Sequence, residues 1–160
     1  MLFLGAFAMI GAAFMIWREY VSYIEREHAF SRELLRAFSD LEEKMRCYLM
    51  SSREWAMGYD SALLDECGFL GALRDGERLE DAFSASLGNI PLPDEVRDMI
   101  LDFAGSFGEG YLDTELVQLD SLIRRLSEAE ARLGDEVPRR RKVAGAFLGA
   151  CASGLVVLIM

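Results

Sequence analysis

Two stretches without a charged side chain bracket this sequence: residues 1–17 (MLFLGAFAMIGAAFMIW) and 143–160 (VAGAFLGACASGLVVLIM). All 17 Lys and Arg and all 27 Asp and Glu fall between Arg18 and Lys142. In water, the charged middle would have to enclose both stretches, which is a hard demand on a segment of its size. Bilayer hydrocarbon is the simpler solvent, because a helix satisfies its own backbone hydrogen bonds there. At ~1.5 Å per residue the stretches reach roughly 25–27 Å, and a hydrocarbon thickness of about 30 Å is met by local thinning or interfacial anchors. Trp17 and Tyr20 stand where an aromatic belt would lie. A cleaved signal peptide is the poorer reading, since the start has no basic region and the apolar run leads into Trp17-Arg18, not into a small-residue exit site. The expected organisation is a transmembrane helix over 1–17, an acidic helical domain over 18–142 and a second transmembrane helix over 143–160.

Basic residues beside each span set its orientation. Arg18 follows the first, and Arg139, Arg140, Arg141 and Lys142 precede the second. Positive flanks stay on the cytoplasmic side, and acidic residues count little in that rule. The middle domain is therefore expected in the cytoplasm, with both termini on the other side. Most of its surface is acidic and would repel nucleic acid and anionic lipid. The 139–142 cluster is the exception, and it reads most simply as the topology signal. Cys47, Cys67 and Cys151 lack any paired spacing, which argues against a disulfide framework or a zinc site.

The middle reads as helical throughout. Arg18 to about Met50 contains no Gly or Pro, and Val21, Ile24, His28, Leu35, Phe38, Met45 and Leu49 recur at helical spacing. Between Ser52 and Asn89, glycines punctuate what should be two or three short helices, one spanning 78–87. Ile90-Pro91-Leu92-Pro93 is a break, because Pro93 disfavours helix at Leu92. A helix should follow from about Asp94 to Phe107, then a flexible turn over 105–110 (GSFGEG). Asp113 or Thr114 can cap a long final helix in which Leu116, Leu119, Ile123, Leu126, Leu133 and Val137 form a stripe broken by Glu130. Gly134 is expected to interrupt that helix and Asp135 to restart it, with Pro138 in the new first turn. No alternating strand pattern occurs. The fold class is all-α, with an antiparallel helical bundle between two terminal transmembrane helices.

No catalytic constellation stands out. His28 is the only histidine, so histidine-based metal sites and nucleophile triads lack parts. No phosphate-binding Gly-x4-Gly-Lys-Ser/Thr loop is present, and GSFGEG has no lysine after it. Neither an enzymatic activity nor a cofactor is expected. Two features suit contacts with other molecules. Asp94, Asp98 and Asp102 line one helical face, which is a solvated surface by default and otherwise a docking face for a basic partner. Gly145, Gly149 and Ser153 repeat every four residues in the second span, a small-residue stripe that lets backbones approach closely. It could pack the two spans together, or copies of the protein as a homo-oligomer.

This order of features resembles the stage III sporulation protein AB family, itself similar to the cytoplasmic domain of the F-type platform proteins of type II secretion and type IV pilus systems. The resemblance runs along the whole chain: a Leu4-Gly5-Ala6 start, Leu41-Glu42-Glu43 in the first long helix, the Phe103-to-Gly108 turn, Gln118 in the last long helix, and Ala144–Gly149 opening the Gly-Ala-rich end. Ser51-Ser52-Arg53-Glu54 stands where the family usually has a Thr-Pro-Leu-like element, and Asp113 and Gln118 are spaced differently after the turn. The resemblance implies a sporulation channel between mother cell and forespore. The chain would sit in the outer forespore membrane and couple a cytoplasmic secretion-type ATPase to the other channel proteins, with no activity of its own. The alternative is a small membrane-anchored adaptor or regulator that binds a soluble cytoplasmic partner.

Overall fold

The computed structural model describes the backbone of residues 2–108 and 110–159, and all side chains among these except 2–10, 13, 87, 140, 141, 144 and 147–159. The chain is all-α: among the described residues there is no strand. Its helices are α1 (Leu2–Tyr48), α2 (Ser52–Gly58), α3 (Ala62–Glu66), α4 (Phe69–Asp75), α5 (Leu79–Ser86), α6 (Asp94–Ser106) and α7 (Leu112–Ile159), with a 3-10 turn at Leu87–Asn89. It divides into two compact units, Glu27–Ala131, and Met1–Arg26 with Arg132–Met160.

The unit Glu27–Ala131 holds the hydrophobic core. From α1 it takes Phe30, Leu34, Ala37, Phe38, Leu41 and Met45, all buried at the three- and four-residue spacing of one helical face. The sequence stripe is offset from this face: Leu34 and Leu41 lie at its centre, whereas Leu35 only flanks it. From α7 come Leu119, Leu122, Leu126 and Ala129. The short helices join in sequence, with α2 and α3 packed on α4, α4 on α5, and α5 on α6. Edge-to-face ring pairs tie α1 to α6 (Phe38–Phe103, 5.9 Å) and α4 to α5 (Phe69–Phe83, 5.9 Å).

Local caps divide the 52–86 stretch more finely than its glycines suggest, into four α-helices where two or three were expected. Ser51 and Ser61 accept the N–H groups of Glu54 and Leu64 and so start α2 and α3. Glu54 also accepts the Ser51 backbone N–H at 2.9 Å, completing a capping box. The Ser51 backbone and hydroxyl contacts hold its carboxyl below the usual range. Gly68 and Gly76, at φ 88° and 92°, bound α4 in a conformation that side chains with a Cβ rarely adopt.

Three further expectations give way. Leu49 is not a core position: it lies just past α1, 73% exposed, at φ 53°. There its N–H bonds the Met45 carbonyl at 3.1 Å, a left-handed helix stop that takes the residue off the apolar face. Helix α7 starts earlier than an Asp113 or Thr114 cap would allow. The Tyr111 carbonyl accepts the N–H groups of both Thr114 and Glu115, and the buried Glu115 carboxylate accepts the Gly110 N–H at 3.3 Å. Nor does Gly134 interrupt α7, which runs on through Pro138. A proline inside a helix removes one hydrogen bond and crowds the carbonyl four residues back, here that of Gly134. A full break would leave several N–H and C=O groups without partners, so continuation is the smaller cost.

In the other unit, Phe14 and Trp17 stack with ring centroids 5.6 Å apart. Phe14, Met15 and Ile16 are 54%, 70% and 68% exposed, and Val143 is 69% exposed. Among the described residues no helix is long and apolar enough to cross a membrane. Much of 1–17 and most of 143–160, the segments expected to span, lie outside the described side chains.

Candidate functional site

Helix α6 carries the aspartate row. Pro93 precedes it at φ −56° and ψ 143°, and Asp94 and Glu95 occupy its first turn, where carboxylates suit the helix dipole. Val96, Met99, Ile100, Phe103 and Ala104 anchor its other side in the core. This burial turns Asp94, Asp98 and Asp102 to the surface, and all three are exposed. They stand about 6 Å apart along the axis, the rise of four helical residues. Asp94 meets the Arg97 guanidinium at 3.0 Å, and the Asp102 backbone carbonyl accepts the Ser106 hydroxyl at 3.5 Å. Arg97 thus places a positive group within the row and reduces its field at the N-terminal end. No group of three His, Cys, Asp or Glu among the described residues could hold a metal ion. The row presents solvated carboxylates, able to meet cationic side chains from outside.

Of the small-residue stripe, Gly145 is exposed, with nothing within 4 Å of where a Cβ would sit. The side chains at Gly149 and Ser153 lie outside the described residues. Cys67 is buried, which raises its thiol pKa, and Cys47 is exposed; both are free.

The two polar residues that break the apolar stripes meet each other. His28 Nε2 lies 3.2 Å from Glu130 Oε1, both half-buried. With the proton on Nε2, the imidazole donates to the carboxylate, and two polar intrusions become one satisfied pair.

A polar seam between α1 and α2 escaped the sequence reading. Trp55 Nε1 donates to Asp40 at 2.8 Å and the Tyr59 hydroxyl to Glu33 at 3.2 Å, with the two rings 4.8 Å apart. Burial, and then the nearby Glu33 charge, push the Tyr59 phenol up to about 12. Arg74 on α4 binds the end of α2: its Nε donates to the Ala56 carbonyl at 2.9 Å, its Nη2 to the Tyr59 carbonyl at 3.0 Å, and its Nη1 pairs with Asp65. Arg53 Nε donates back to the Arg74 carbonyl at 3.2 Å. Only the Ser-x-x-Glu box at Ser51–Glu54 announces this region in the sequence. Apart from the Trp55–Tyr59 ring pair, the other contacts join residues 9 to 26 positions apart, beyond any local pattern.

No protein-family model, curated protein or solved structure matches the chain.

Proposed function

We propose that this chain is a non-enzymatic, membrane-anchored platform component of a secretion-like complex, with its helical middle in the cytoplasm and both ends across the bilayer. The observation that carries the membrane part is the run of large apolar side chains left open to solvent, Phe14, Met15 and Ile16, inside the first charge-free segment. Lipid is the environment that removes this cost. Val143, exposed at the start of the second segment, repeats the pattern. The His28–Glu130 contact supports an antiparallel pairing of α1 and α7. It joins the part of α1 near the first segment to the part of α7 near the second.

The resemblance to stage III sporulation protein AB makes this platform part of the channel between mother cell and forespore, in the outer forespore membrane. Its partners are a secretion-type ATPase on the cytoplasmic side and other channel proteins in the membrane. The α6 aspartate row is the proposed docking face for the ATPase. The stripe containing Gly145, Gly149 and Ser153 is proposed to pack spans, within one chain or between copies. Reporter fusions at each end test the topology, and cytoplasmic activity at either end refutes the two-span arrangement. Co-purification separates platform from adaptor: a platform brings down the ATPase together with integral channel proteins, an adaptor brings down a soluble partner alone.

A further inference from the structure

Beside the first charge-free segment, one face of α1 opens onto a cavity of about 480 Å³, lined among the described residues by Met15, Arg18, Glu19, Ser22, Tyr23 and Arg26. These positions recur at three- and four-residue steps, so they make one stripe along the helix. Arg18 and Arg26 have no ion-pair or hydrogen-bond partner among the described residues, in a chain where acids outnumber bases 27 to 17. Two unpaired guanidiniums flanking a cavity are a ready receptor for an oxyanion, since each offers a planar fork of donors. Ser22 and Tyr23, between them, add hydroxyl donors.

We propose that this cavity binds the headgroup of a monoanionic phospholipid, of the phosphatidylglycerol type. The proposal rests on the membrane reading of residues 1–17, and two features select lipid over free phosphate. The lining runs from Met15, inside the charge-free segment, to Arg26, about 16 Å further along the axis by helical rise. It therefore starts at acyl-chain depth and ends past the headgroups. On a helix whose N-terminal end lies in the bilayer, Cα–Cβ bonds tilt back toward that end. Both arginine side chains accordingly lean toward the membrane, where their stems can lie along lipid while the guanidiniums meet phosphate. Charge sets the headgroup class. Among the described lining residues Glu19 sits between the arginines and leaves a single net positive charge, which matches one phosphodiester.

The test uses the full-length chain in neutral detergent micelles, with bound lipid counted by native mass spectrometry. The probes are short-chain phosphatidylglycerol, phosphatidylcholine and inorganic phosphate. Phosphatidylglycerol should bind at least tenfold more tightly than phosphatidylcholine, and inorganic phosphate should not displace it. Arg26→Gln, away from the span, should weaken phosphatidylglycerol binding on the order of fivefold, and adding Arg18→Gln should weaken it by about the same factor again. Glu19→Gln should strengthen it, an outcome that misfolding cannot produce. Equal affinity for the two lipids, efficient displacement by phosphate, or unchanged binding in Arg26→Gln with normal helicity would overturn the proposal. Carbonate extraction of wild-type membranes separates the two readings. A protein that stays embedded but shows no lipid preference refutes only the lipid site, whereas one that washes off refutes both.

Discussion

Arg74→Ala should be among the most damaging single changes outside the apolar core. Its guanidinium serves the carbonyls of Ala56 and Tyr59 at 2.9 and 3.0 Å, together with the Asp65 carboxylate. The Ala56 carbonyl belongs to the last turn of α2, where helical carbonyls have no acceptor role left within the helix. A hydrogen bond from a charged donor contributes about 1.5–3 kcal/mol, and partial exposure of Arg74 favours the low end. Two such bonds, and about 0.5 kcal/mol for the half-exposed Asp65 pair, give about 3.5 kcal/mol, a large share of an ordinary domain's 5–15 kcal/mol. Arg74→Lys should lose roughly half of this, because one ammonium cannot reach all three acceptors. Residues 18–138, expected to be a soluble helical domain without the spans, are the material for the assay. Urea unfolding followed by far-UV circular dichroism should show the midpoint falling by about 2 M for Arg74→Ala at a slope near 1.5–2 kcal/mol/M. An unchanged slope with a midpoint shift below about 0.5 M would refute the clamp and make Arg74 an ordinary surface residue.

Three other outcomes follow from individual contacts. Leu49→Gly should raise stability by about 1 kcal/mol, since it relieves a left-handed residue that buries little; a lower urea midpoint would contradict this. The Tyr59 phenol is raised from 10.0 to about 12, so folding favours its neutral form. Its contribution is full below pH 10 and is lost as pH rises through about 12; Tyr59→Phe should flatten the fall in stability over that window, read from urea midpoints at stepped pH. Asp94→Asn, Asp98→Asn and Asp102→Asn together should leave the melting temperature nearly unchanged, because exposed carboxylates contribute little. They should weaken binding to the basic partner and reduce its salt dependence; an unchanged affinity and salt slope in a titration would make the row a solvated face only.

The all-α class was legible because it depends on local features. Helical periodicity without strand alternation, the Pro91–Pro93 break and the exposed face of Asp94, Asp98 and Asp102 are properties of short windows, and α6 runs from Asp94 to Ser106 much as its sequence suggests. The Ser51–Glu54 capping box was also written locally, and its spacing alone could have located the start of α2. Register and partnership were not legible. A period of 3.6 leaves adjacent residues such as Leu34 and Leu35 nearly equivalent, and only packing against the other helices puts Leu34 at the centre and Leu35 at the edge. Leu49 looked apolar enough for the core, yet a single left-handed φ turned it out into solvent. His28 read as a member of the α1 stripe and Glu130 as a break in the α7 stripe; 102 positions apart, they become a satisfied pair only when the chain brings them together. Local chemistry decided which segments are helical and where several of them start. Tertiary packing decided which face of each helix is buried and which polar groups find partners, because those choices depend on distances that no window of sequence contains.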